Sequence, residues 1–192
     1  TTIFGTWVPT ADSFAKLTRS LNTWPLNDKA KEIRAKFSPV DSGQAQCRPV
    51  SAPMLMTYPV TMVLENATKQ INIKTDWLGA QRTIYMDGRA HPAAKERFPQ
   101  GHSIGHFEDK TLVIDTTNFT DQETGGIPAG SGKHIVERFS LATDGKSLNY
   151  SYVLEDAEYL SGQVTGSAEM SYRPNLTVSG IECDHDIATR FF

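Results

Sequence analysis

The stretch SLNYSYVLED, residues 147–156, decides the fold. Leu148, Tyr150, Tyr152 and Leu154 alternate with Asn149, Ser151, Val153 and Glu155, the period of two that marks a strand with one face in a core and the other in water. QINIKTDW, residues 70–77, repeats the pattern: Ile71, Ile73, Thr75 and Trp77 share one side, and Gln70, Asn72, Lys74 and Asp76 the other. Working outward, strands are predicted over residues 3–9, 60–65, 82–87, 111–118, 134–141, 163–172 and 176–183, with turn chemistry at ENATK, FEDK, ATDGKS and RPN between them. Closely spaced strands with short turns predict an all-β antiparallel meander that curls into a closed or nearly closed barrel, because closure hides its edges.

Helical periodicity is confined to residues 12–37. Phe14, Leu17 and Leu21 share one face, and after Pro25, suited to a first helical turn, Leu26, Ala30, Ile33 and Phe37 recur at i, i+4, i+7 and i+11. Two short helices packed across one end of the barrel are expected, the second from about Leu26 to Phe37 with Leu26, Ile33 and Phe37 buried. Residues 38–58 are punctuated by Pro, Ser and Gly and read as a linker. Two longer loops interrupt the strands: residues 89–101, with two prolines and a charge cluster, and the glycine-rich residues 120–133, either a lid or entrance loop or an ordinary surface loop.

At 192 residues the chain reads as one domain, residues 1–192, large enough to bury roughly 70% of its unfolded surface. With 19 basic and 22 acidic residues and no basic run, it lacks the electrostatic footprint of a nucleic-acid binder. Its longest apolar runs, such as PMLM at residues 53–56, fall far short of the ~20 residues of a membrane-spanning helix. Cys47 and Cys183 are either two unrelated buried thiols or one disulfide closing a loop worth up to ~4 to 5 kcal/mol. The chain begins at Thr1 rather than Met, as after loss of a signal peptide or after trimming, and with the cysteines this tilts the expectation toward an oxidising compartment. Four sequons, at Asn66, Asn118, Asn149 and Asn175, would carry glycans only in a eukaryotic secreted protein.

Four of the five histidines, His91, His102, His106 and His134, lie close together in the chain, around the polar blocks DGRAHP (87–92) and GHSIGHFEDKTLVIDT (101–116). Imidazole titrates nearest neutrality and is the commonest metal ligand, so the cluster points to a site. His102 and His106 at i, i+4 cannot share an ion from a strand, where they stand roughly 13 Å apart. A metal would need His91, His102 and His134 brought together, with or without Asp115; none is expected, and no other cofactor. Acid–base chemistry needs only one imidazole oriented by a carboxylate, and Asp87, Asp115, Glu137 and Glu155 are at hand. Strand parity turns Glu137 inward with Ile135, Phe139 and Leu141, where a carboxylate requires a partner such as Arg82, Arg138 or a histidine. The catalytic candidates are His102, His91, His134, Asp115 and Glu137; Tyr85, Arg89, Trp77, Tyr150 and Tyr152 are candidates for ligand contact.

DGRAHP and GHSIGHFEDKTLVIDTTNF, together with HIVERF (134–139) and the two cysteines, resemble a large set of exported bacterial proteins of unknown function over most of residues 45–183. Those relatives usually carry Trp-Glu-Gly-Asp where this chain has Phe107, Glu108, Asp109 and Lys110, so the turn there differs. The resemblance implies a periplasmic or secreted protein and a Cys47–Cys183 disulfide, and it points to His91, His102 and His134 over His106 and His185. GTW, residues 5–7, is similar to the first-strand signature of lipocalin-type barrels and, with the strands that follow, implies a lipocalin-like barrel. Neither resemblance supplies a reaction. The expected function is a lyase, isomerase or hydratase acting on a small apolar or aromatic molecule inside the barrel. The rivals are a non-catalytic carrier of a lipophilic ligand, with the histidines closing its mouth, and an accessory subunit of an envelope complex.

Overall fold

The computed structural model describes residues 2–43, 45–124, 126–178 and 183–184. Nine strands close into a barrel: β1 (Gly5–Pro9), β2 (Met62–Ala67), β3 (Gln70–Thr75), β4 (Gln81–Tyr85), β5 (His102–Glu108), β6 (Thr111–Thr117), β9 (His134–Leu141), β10 (Ser147–Glu155) and β11 (Val164–Tyr172). Their order around the wall is β1-β11-β10-β9-β6-β5-β4-β3-β2, and β1 pairs with both β11 and β2, so no edge remains where the ends meet. A separate hairpin of β7 (Gln122–Thr124) and β8 (Ile127–Ala129) occupies the glycine-rich loop. This is the closed all-β barrel expected from the alternation, with the two short helices expected from the helical spacing.

One pair departs from the antiparallel meander. Strand β4 runs parallel to β5 through two residue pairs, Ile84 with Ser103 and Tyr85 with Ile104. A parallel pair cannot be joined by a hairpin turn, so residues 86–101 leave the wall at Tyr85 and return beside it at His102. Gly105 lets the two strands approach, since a Cβ there would stand 2.7 Å from Ile84 Cγ2. Two strand expectations also need correction. Trp77 lies in a single helical turn, Trp77–Gly79, and stacks on Tyr58 with ring centroids 4.4 Å apart. Residues 176–178 belong to no strand, and residues 179–182 lie outside the described residues.

The helices are α1 (Ala11–Ser20) and α2 (Asp28–Lys36). Thr10 caps α1 by accepting from the Ser13 amide, and Leu17 is its buried anchor against β11. Helix α2 begins later than Pro25 suggests, because the Asn27 side chain accepts from the Ala30 amide and fixes the start there. Pro25 instead offers its carbonyl to Ser161, and Leu26 forms a bridge with Leu160. Leu26 and Ala30 are buried as the pattern predicts, but Ile33 and Phe37 are only half-buried: α2 packs against β8 rather than down on the barrel. Cys47 and Cys183 form a disulfide, with Cα atoms 5.6 Å apart.

Side chains fill the barrel. Trp7, Met62, Leu64, Ile71, Ile84, Leu112, Ile114, Ile135, Phe139, Leu148, Tyr150 and Met170 are almost wholly buried. Among the described residues the space found beside them, next to Arg82 and Glu137, measures about 10 Å³, room for roughly one water molecule. Across five consecutive strands the interior carries one polar network. Arg82 pairs with Glu137 at 2.6 Å, Tyr150 donates to Glu137 at 3.0 Å, and Arg82 donates to Ser103 and Thr116 at 3.3 and 3.1 Å. Any one-residue slip of these strands would turn a member of the network outward.

Candidate functional site

Strand parity that sends Ser103, Thr116 and Glu137 inward sends His102, Asp115 and His134 out, because successive strand residues face opposite sides of the wall. His102 opens β5, Asp115 lies on β6 and His134 opens β9, and these are three neighbouring strands. His91 is delivered to them by the excursion over residues 86–101. That segment is held by Asn118, whose side-chain amide donates to the carbonyls of Ala93 and Glu96 at 3.1 and 2.9 Å. Asn118 adopts a left-handed backbone (φ 59°) and is buried, so this sequon is spent on structure. Gly101 ends the excursion at φ 71°, where a Cβ would stand 2.6 Å from Thr116 Cγ2.

The three imidazoles meet. The Nδ1 atoms of His91 and His102 are 2.9 Å apart; His91 Nε2 lies 3.2 Å from Asp115 Oδ1, and His134 Nε2 lies 3.1 Å from the same oxygen. His134 Nδ1 is 3.7 Å from Glu155 Oε2, which extends the chain of titratable groups across a fourth strand. Tyr85 stacks on His102 with centroids 5.1 Å apart, Phe98 tilts against it at 6.1 Å, and the Arg89 guanidinium lies 3.8 Å above the Tyr85 ring. Arg89 also grips Asp87 at 2.6 Å, and this hydrogen-bonded cation holds the Asp87 carboxyl at about 2.

Hydrogen-bond bookkeeping orders the protons. An ionised Asp115 only accepts, so His91 donates through Nε2. In neutral His91 the other nitrogen, Nδ1, is then an acceptor, and His102 must donate to it from its own Nδ1. That leaves the lone pair of His102 on Nε2. Partial burial, then the neighbouring His91 and Arg89, lowers the His102 pKa from its ordinary value, which keeps the ring in this unprotonated form.

The expected convergence of His91, His102, His134 and Asp115 is therefore present, but on the outer wall rather than in a cavity. Glu137 is not part of it; it sits inside with Arg82 and Tyr150. Tyr85 and Arg89 border the histidines, whereas Trp77 lies against Tyr58, and Tyr150 and Tyr152 are interior, the latter with its hydroxyl pushed up to about 12 by burial. His106 is exposed and paired with Glu108, and His185 lies outside the described residues. Among the described residues no three His, Cys, Asp or Glu side chains are arranged to hold a metal. Sequence reasoning passed over Phe98, which carried no signal. It noted Glu155 without placing it, although Glu155 faces outward in its own alternation and pairs in register with His134.

No family model matches the chain, and no curated protein matches it. Among solved structures it is similar to a point mutant of the fluorescent protein UnaG, with 10% identity and a TM-score of 0.40 over 89% of this chain and 96% of that one.

Proposed function

We propose that the protein is an exported acid–base catalyst in which His102 Nε2 removes or returns a proton on a small, largely apolar or aromatic molecule, in a lyase, isomerase or hydratase type of reaction. The observation that carries the reading is the relay from His102 through His91 to Asp115, at 2.9 and 3.2 Å. When Nε2 takes a proton, positive charge develops on His102, and its Nδ1–H can shift toward His91, which is hydrogen-bonded to Asp115 through Nε2. The base is thus backed by a carboxylate through a second imidazole, an arrangement that orients the ring and spreads the charge. The Tyr85 and Phe98 rings, 5.1 and 6.1 Å from the His102 ring, make an aromatic surround suited to an aromatic or unsaturated guest. Export is supported by the Cys47–Cys183 disulfide, since such bonds persist in oxidising compartments. The carrier reading has the filled barrel against it.

The test uses 5-nitrobenzisoxazole, whose ring opens when a base removes its C3 proton and the N–O bond breaks. Wild-type protein should open it faster than free imidazole at equal concentration, and His102→Ala should remove roughly 10² of that rate while melting cooperatively. A rate that survives His102→Ala, or a wild-type rate no greater than that of imidazole, refutes the proposal.

A further inference from the structure

A second chemically distinct centre lies inside, one residue before His134. Lys133, just before β9 begins, is buried where His134 faces out, the whole residue being 3% exposed. Among the described residues its amine reaches a hydroxyl and a ring: Nζ donates 2.8 Å to Ser51 Oγ and stands 4.3 Å over the centroid of Phe119. Among the described residues no carboxylate approaches it within ion-pair distance. The nearby carboxylate of Asp156 is occupied by the Gly130 and Glu158 amides at 2.6 and 3.1 Å. Lys133 borders a cavity of about 20 Å³ with Trp24, Met54, Ile127, Leu154, Leu160 and the backbone-bonded Asp156. Trp24, which lines the same cavity, has a buried Nε1 donor with no hydrogen-bond partner among the described residues. An amine without an ion-paired carboxylate among the described residues, a spare N–H donor and a mainly apolar enclosure the size of one or two water molecules are the elements of a carbonyl-capturing pocket.

We infer that Lys133 is a nucleophilic amine that captures short aldehydes as an imine, with Trp24 Nε1–H available to hydrogen-bond the carbonyl oxygen. The Nζ lone pair attacks the carbonyl carbon, forming a C–N bond while the oxygen takes up a proton and becomes a carbinolamine hydroxyl. That hydroxyl then leaves as water with a second proton, as the C–O bond breaks and the C=N bond forms. The Ser51 hydroxyl, 2.8 Å from Nζ, is placed to pass a proton between nitrogen and oxygen. No oxidant or reductant is consumed. Burial supports the chemistry, because desolvation lowers the amine's pKa from 10.5 to about 7 and so keeps a large neutral fraction where surface lysines are protonated. The size of the cavity restricts the guest to a few carbon atoms.

Acetaldehyde with sodium cyanoborohydride at pH 6.5, followed by peptide mass mapping, tests this on the intact protein. Lys133 should gain an ethyl group at least tenfold faster than any other lysine, while benzaldehyde should leave it unmodified. Lys133→Met should lose that adduct and leave the pattern on the remaining lysines unchanged; Lys133→Arg, which keeps the charge, should lose it too. The inference is overturned if native Lys133 is ethylated no faster than surface lysines, or stays unmodified while the guanidinium-unfolded chain reacts there. None of these outcomes bears on His102, so the proposed acid–base function stands or falls separately.

Discussion

Replacing Arg82 by Met would strand the charge of Glu137 inside the barrel, and the cost can be worked from the geometry. The ion pair is almost completely removed from water, its two side chains being 5% and 2% exposed. Arg82 makes two contacts to the Glu137 carboxylate, at 3.2 and 2.6 Å, and one each to Ser103 and Thr116. In Arg82→Met the carboxylate keeps only the Tyr150 hydroxyl at 3.0 Å. Breaking a buried pair in this way costs ~3 to 5 kcal/mol, because the remaining charge is uncompensated. For a domain of this size that lowers Tm by roughly 6 to 20 °C. Removing both charges in Arg82→Met with Glu137→Leu should recover most of the loss, leaving the Tyr150 hydroxyl unpaired at ~1 to 3 kcal/mol. Guanidinium titration followed by tryptophan fluorescence, with the disulfide intact, gives Cm and m for the two single variants and the double. A single-variant loss below about 1 kcal/mol, or a double variant as unstable as the sum of the singles, would refute the claim that this network is desolvated and acts as a unit.

Reducing the Cys47–Cys183 bridge, which spans 136 residues, should lower stability by ~5 kcal/mol in the chain-entropy account, read as a drop in Tm with and without dithiothreitol. Leu17→Ala should cost ~2 to 5 kcal/mol because Leu17 is 2% exposed, whereas Ile33→Asp, on a half-buried face, should cost no more than about 1 to 2 kcal/mol; equal losses in denaturant melts would contradict the packing of the two helices. Lys133 has a lower pKa folded than unfolded, so its contribution to stability is full above 10.5 and is lost as pH falls to about 7. Lys133→Met should therefore stabilise the protein at pH 7 by up to about 5 kcal/mol and flatten the rise in stability between pH 7 and 10; a destabilised variant at pH 7 would show that the amine is held by more than Ser51 and Phe119. His102, lowered below 6.5 in the fold, should make stability fall as pH drops through 6.5, and His102→Asn should remove that slope.

Alternation was enough to place most strands to within two residues, since each inward side chain of β3, β6, β9 and β10 is needed to fill one continuous core. It could not show the parallel β4–β5 step, because periodicity reports which face a residue takes and says nothing of the direction of the neighbouring strand. The same parity rule sorted the site better than its first reading allowed. Glu137 was turned inward, yet was still grouped with histidines whose own positions point outward. Lys133 was passed over although it immediately precedes a histidine assigned to a strand, and alternation alone places the two on opposite faces. The burial of Ile33 and Phe37 was overestimated because a helical stripe identifies an apolar face without identifying what covers it; here β8 takes the place of the barrel wall.

The single parallel step also separates two design problems within one chain. The segment carrying His91 leaves the wall and rejoins it at adjacent positions, so its ends are fixed by the barrel whatever lies between them. Doubling the length of such a segment adds only about 0.6 kcal/mol of closure entropy. A new excursion grafted between Tyr85 and His102 could thus bring a different side chain to the waiting His102 and Asp115 without reopening a core closed on the far side of the wall. The barrel then serves as a mount, and the residue it presents to His102 becomes an exchangeable part.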